Sequence, residues 1–175
     1  MSAKNTDHIR VSRRTVLLGL LGLGLSACGF QPRGMVELPP VLQRVHLGGR
    51  LPDRGLASAL ERLLRQNGGE LVSDAREASL RLTVTDYGTS RRQVVLDPRA
   101  RSREVELTLR LRVKAEDAQG LVLLDNEVFE AARNMHDAPA NVLSRGSEEA
   151  RLRGEMQEII AQALLARLRS VATPR

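Results

Sequence analysis

The chain has 175 residues, which bounds it to one or at most two domains, and 42% hydrophobic residues are enough for a packed core. Aromatics are only 2% (Phe30, Tyr87, Phe129), which excludes a site that stacks bases or sugars on several rings and disfavours nucleic acid as a partner. A formal charge of +6 comes almost wholly from Arg, while a single cysteine, Cys28, and three scattered histidines (His8, His46, His136) offer neither a disulfide nor a metal site.

Arg10, Arg13 and Arg14 precede an apolar, Gly-interrupted run from Thr15 to Leu25, too short to span a bilayer as a helix. Leu25-Ser26-Ala27-Cys28 follows. A basic start, a short apolar stretch and small residues before a cut site make a secretory signal, and the Cys after Leu-Ser-Ala makes it resemble a bacterial lipoprotein signal. Residues 1–27 are then a signal peptide, and Cys28 is the lipidation site, its thiol taking a diacylglycerol and its new amine an acyl chain such as palmitate. Ser12-Arg13-Arg14-Thr15-Val16-Leu17 also resembles a twin-arginine export signal, although general secretion suits the rest of the chain better. Gly29, where Asp would resemble an inner-membrane retention signal, favours the outer membrane by analogy. Residues 1–27 hold four of the 27 basic residues and one of the 21 acids, so the remainder carries +3. Residues 28–40, with Pro32, Gly34, Pro39 and Pro40, read as an extended, lipidated tether.

Residues 41–175 read as one α/β domain. Val41 to Leu47 is a first strand, broken by Gly48-Gly49. Leu56, Ala59, Leu60, Leu63 and Leu64 form a helical stripe, stopped by Asn67-Gly68-Gly69. Leu80, Leu82 and Val84 alternate with polar residues, and this strand continues, bent or bulged, through Val94-Val95-Leu96 to a turn at Asp97-Pro98-Arg99. Glu104 to Lys114 alternates cleanly: Val105, Leu107, Leu109, Leu111 and Val113 face one way, with polar side chains on the other. Asp117 to Gly120 is a turn and Leu121 to Ala132 a last strand, with a break at Asp125-Asn126. Asn134 to Gly146 is a loop or a helix extension, and Ser147 caps a final helix carrying Leu152, Met156, Ile159, Ile160, Ala163, Leu164, Leu168 and Val171. The expected fold is α+β, a two-layer sandwich in which a four-stranded, largely antiparallel sheet carries two helices on one face.

No nucleophile elbow, phosphate loop or zinc-protease motif occurs, and no catalytic or metal residue is assigned. His46 reads as an edge residue, His136-Asp137 as a solvated loop, and Glu104 with Glu106 as a solvated sheet face. The polar face of Glu104–Lys114 is more informative. Arg110, Arg112 and Lys114 are spaced two apart, Arg81 shares their phase on its own strand, and Arg91-Arg92 follows. Arg rows on a sheet suit bidentate capture of phosphate or carboxylate, and in an envelope lipoprotein the phosphate of lipopolysaccharide is the abundant candidate.

Cys28-Gly29-Phe30-Gln31-Pro32-Arg33-Gly34 resembles the start of the LptE family of lipopolysaccharide-assembly lipoproteins, in which C-G-F, a variable pair and R-G follow the lipobox. The element order, Asn141-Val142-Leu143-Ser144 before an acidic helix start, and the Leu/Arg-rich end Leu164-Leu165-Ala166-Arg167-Leu168 are similar too. The resemblance implies a non-enzymatic protein without cofactor, lipid-anchored on the periplasmic side of the outer membrane. Its implied partners are the β-barrel LptD, which it helps to assemble and plugs, and lipopolysaccharide. An auxiliary lipoprotein of a lipid-trafficking ABC transporter would share the lipobox and layout but not C-G-F-x-x-R-G.

Overall fold

The structure is a computed structural model that describes residues 38–51, 53–96, 103–136 and 142–173. The expected signal, Cys28 and the tether up to residue 37 lie outside the described residues, as does the turn at Asp97-Pro98-Arg99.

In chain order the elements are β1 (Arg44–Gly49), α1 (Gly55–Gln66), β2 (Glu70–Val72), β3 (Leu80–Leu96), β4 (Arg103–Asp117), β5 (Val122–His136) and α2 (Val142–Ala172). A 3-10 turn at Pro40–Leu42 comes first, so the first strand starts three residues later than its apolar run suggests. Pro40 sets the turn through its fixed φ, and Leu42 is thereby driven into the core. Gly48-Gly49 does not break β1 but ends it. Gly49 has φ 96° and lies so close to the β3 backbone that a Cβ would stand 2.2 Å from the Val84 carbonyl oxygen, so only glycine fits.

The expected four-stranded, largely antiparallel sheet is corrected to a five-stranded mixed one of order β2-β1-β3-β4-β5. β1 runs parallel to both β2 and β3, while β3, β4 and β5 form an antiparallel meander. Three residues, Glu70-Leu71-Val72, are too short to show alternation, which is why β2 is invisible in the sequence. The parallel pairing follows from α1, which carries the chain back over the sheet as a crossover.

The strand alternations are as expected. Leu80, Leu82 and Val84 of β3 and Leu107, Leu109, Leu111 and Val113 of β4 are all buried, in one core with Leu56, Leu60 and Leu64 of α1 and Met156, Ile160, Leu164 and Leu168 of α2. β3 is bulged, with register shifts between Val84 and Asp86 and between Gln93 and Val95. β5 is irregular where Asn126 takes φ 52°, at the expected break. Between β4 and β5, Gly120 at φ 85° closes the expected turn.

α2 starts at Val142, five residues before the Ser147 cap expected from sequence. Its first turns carry Gly146 and a run of charges, which reads as loop. They are helical because Glu148, Glu149, Arg151, Arg153 and Glu155 pair with one another at helical spacing, and because Arg91 of β3 reaches Glu149 and Arg133 of β5 reaches Glu155.

Candidate functional site

Both helices pack on the face that holds the alternating apolar residues, and among the described residues no helix covers the opposite face of β3, β4 and β5. Cross-strand register fixes which side chains meet there. Asp86 lies opposite Arg112, Gly88 opposite Arg110, Ser90 opposite Thr108 and Arg92 opposite Glu106; on β5, Val128 lies opposite Arg112, Glu130 opposite Arg110 and Asn134 opposite Glu106.

The expected basic row exists as a row, yet it is interleaved with acids. Arg110 Nε is 3.3 Å from Glu130 Oε1, Lys114 Nζ is 2.8 Å from Glu116 Oε1, and Arg92 Nη2 is 2.9 Å from Glu106 Oε1. The Glu116 carboxylate accepting from Lys114 raises the ammonium above its ordinary pKa, and Lys114 in turn lowers Glu116. Glu104 accepts from Asn134 Nδ2 at 3.3 Å, so the acidic end of β4 is tied into the same lattice. Arg112 is the exception. It is half-buried between Asp86 and Val128, its Nε is buried, and that atom has no hydrogen-bond partner among the described residues. Beside it, the missing side chain of Gly88 opens a shallow recess of about 230 Å³ lined by Asp86, Gly88, Thr89, Ser90 and Arg110.

The structure separates Arg91 from the other four. Its position opposite Leu107 puts it on the helix-covered face, where it pairs with Glu149 of α2 and lines a recess of about 280 Å³ with Gln93, Val105 and Met135. Adjacent residues on a strand point to opposite faces, so Arg91 and Arg92 cannot serve one surface unless a bulge falls between them; the bulges lie elsewhere, at Thr85 and Val94. The partner acid Glu130 escaped the sequence reading because its meeting with Arg110 depends on the register between two strands.

His46 of β1 reaches the edge strand β2, with Nδ1 3.2 Å from the Val72 carbonyl oxygen. Among the described residues no three His, Cys, Asp or Glu side chains gather as a metal site, and no helix is long and apolar enough to cross a membrane. The side chain of His136 and all of Asp137 lie outside the described residues.

The lipopolysaccharide-assembly family LptE matches this chain over residues 42–168. An LPS-assembly lipoprotein LptE of Yersinia pestis is 32% identical over 160 residues, covering 90% of this chain and 75% of its own. Among solved structures, the uncharacterized lipoprotein B of Nitrosomonas europaea superposes with a TM-score of 0.64 at 26% identity, covering 81% of this chain and 91% of that one. A minor lipoprotein of Acinetobacter baumannii shares the fold, with a TM-score of 0.60 at 24% identity over 74% of this chain and 92% of its own. The family match over most of the chain and the identity to its members agree, and the chain belongs to the LptE family of lipopolysaccharide-assembly lipoproteins.

Proposed function

We propose that this protein works as a non-enzymatic partner of the outer-membrane β-barrel LptD, assisting its assembly and the delivery of lipopolysaccharide to the outer leaflet. Acyl chains on Cys28 hold it on the periplasmic side of the outer membrane. The observation that carries the reading is the helix-free sheet face: broad, polar and charge-compensated by Arg110–Glu130, Lys114–Glu116 and Arg92–Glu106. A hydrated barrel lumen accepts such a surface, whereas an apolar face would be needed to sit in lipid. Purification in mild detergent tests it: a large outer-membrane barrel should accompany the chain in stoichiometric amount. An inner-membrane ATPase complex, or no stoichiometric partner, overturns the assignment.

On this face Arg110, Arg112 and Lys114, with Arg92, form the lipopolysaccharide contact, and Arg91 contributes only from the helix side. Lipid A phosphates engage Arg112 first, through the outer nitrogens of its guanidinium, because it holds no carboxylate among the described residues, while Arg110, Lys114 and Arg92 must exchange a carboxylate for a phosphate. The triple variant Arg110→Glu/Arg112→Glu/Lys114→Glu should bind purified lipopolysaccharide more weakly, with the largest difference at low salt. Unchanged lipopolysaccharide binding with lost barrel capture reassigns the row to the protein interface.

A further inference from the structure

We propose that the β4–β5 hairpin tip, Asp117 to Val122, makes a second contact with the lipid surface, placing Leu121 and Val122 among the outer parts of the acyl chains. The proposal rests on the reading that Cys28 is the lipid anchor. Among the described residues four large apolar side chains are exposed, and Val94 and Val128 stand singly on strands. Leu121 and Val122 are consecutive, at a turn, with Leu121 the most exposed of the four at 62% and Val122 at 44%.

The tip is built to hold them out. Asp117 Oδ1 accepts from the backbone N–H of Gln119 at 2.9 Å and of Leu121 at 2.8 Å, the Asp117 N–H donates to the Leu121 carbonyl at 3.0 Å, and the Gly120 N–H donates to the Asp117 carbonyl at 3.1 Å. Leu121 therefore cannot fold back onto the core without breaking this set. Arg81 stands directly behind the tip, its Nη2 donating to the Asp117 carbonyl at 3.2 Å, which leaves the rest of its guanidinium for lipid phosphate.

Position supplies the occupant. A row of backbone bonds crosses one end of the sheet: Glu70 N–H to Gln43 O at 2.8 Å, Ser79 N–H to Arg44 O at 2.8 Å and Ala118 N–H to Ser79 O at 3.1 Å. The turn at Pro40–Leu42, where the packed chain begins, is thus at the same sheet end as the hairpin tip. With neighbouring strands about 4.8 Å apart, β1 and β4 are separated there by roughly 10 Å. Cys28 precedes Leu38 by ten residues, which span at most about 36 Å even when fully extended. The acyl anchor therefore keeps this sheet end close to a lipid surface, and an exposed apolar pair backed by an arginine suits its interfacial zone.

The test uses the full acylated chain, alone and with its co-purified barrel, in phosphatidylethanolamine/phosphatidylglycerol vesicles with and without doxyl-labelled lipids. In the acylated protein the Cys28 sulfur is a thioether, so Leu121→Cys and, as control, Thr108→Cys each carry one reactive thiol for a polarity-sensitive fluorophore. The label at 121 should shift to shorter wavelength and lose most of its emission to doxyl lipids, while the label at 108 stays unquenched. An acylated protein whose label at 121 is unquenched overturns the membrane contact and leaves the anchor standing. Quenching of the isolated chain that disappears with the barrel present also overturns it, because the tip then docks on protein. An intact mass lacking acyl groups on Cys28 refutes the anchor, and the hairpin proposal with it.

Discussion

Among the described residues Gln157 is the polar side chain that the core takes in, 5% exposed, and it links α2 to β3 and to the start of α1. Its Nε2 donates to Asp53 Oδ1 and to the Tyr87 hydroxyl oxygen, both at 2.8 Å, and the same Asp53 oxygen accepts the N–H of Gly55 at 2.8 Å, where α1 begins. Gly55 leaves room for this amide, because a Cβ there would come within 2.1 Å of Gln157 Oε1 and push it aside. Asp53 is exposed and Tyr87 half-buried, so both can turn to water once the amide is gone, and Gln157→Ala should cost about 0.5–1.5 kcal/mol, read as a shift in the denaturant midpoint. Burial raises the Tyr87 phenol above its ordinary pKa, an effect that the Gln157 hydrogen bond reduces and Asp53 adds to. A raised pKa in the folded state means that folded protein holds the proton where unfolded chain has lost it. Stability is then full below the ordinary phenol range and falls as pH rises through it toward the raised value. Thermal melts of Tyr87→Phe should show a shallower alkaline decline than the wild type. None of this node is readable in the sequence, since Asp53 of the β1–α1 connection, Tyr87 of β3 and Gln157 of α2 are far apart in the chain and meet only in the packed fold.

Among the elements, β4 is the one the sequence shows most clearly. Strict alternation from Val105 to Val113 over a sheet with one covered face leaves a single register, and Leu109 is fully buried. Leu109→Ala should cost about 2–5 kcal/mol, and Thr108→Ala on the other face far less; urea titration of both variants checks the contrast. α2 is the opposite case. Its C-terminal half carries a regular apolar stripe and was legible, but its first buried side chain among the described residues is Leu152, ten residues after it starts. The early turns depend on ion pairs with β3 and β5, which no local pattern announces. Gly146 and Gly154 weaken them further. A Cβ at Gly154 meets nothing within 4 Å, so Gly154→Ala should stabilise the protein by about 0.5–1 kcal/mol, visible as a higher melting temperature. β2 was missed for a third reason: an edge strand of three residues has no period to detect, and its partner β1 precedes it in sequence across α1.

At the scale of the whole molecule, the row of arginines was legible and its neutralisation was not. Spacing in one strand shows where cations lie, whereas Glu130 meets Arg110 and Glu106 meets Arg92 across strands, through a register that no single strand announces. The lipobox points to anchoring by acyl chains rather than by a span, so Cys28→Ser should yield a form without acyl mass that leaves the membrane fraction unless the barrel retains it. Fractionation with and without the barrel separates the two supports.

The mixed sheet has a consequence for the order in which the protein can form. β3, β4 and β5 are joined by successive hairpins, so their pairing requires only local loop closure. β1 lies between β2 and β3, parallel to both, and has no place until the helix and the strand that follow it exist. A chain that emerges from an export channel N-terminus first must therefore keep its earliest strand waiting while more than thirty residues arrive, from Gly49 to Leu80. Sequence-local pairing is fast and long-range parallel pairing slow, so the meander forms the nucleus and β1 closes the sheet last. Pulse-labelled hydrogen exchange should find amides of β3 to β5 protected before those of β1, and the interval between them is the period in which an unpaired β3 edge invites capture by a chaperone or by another chain.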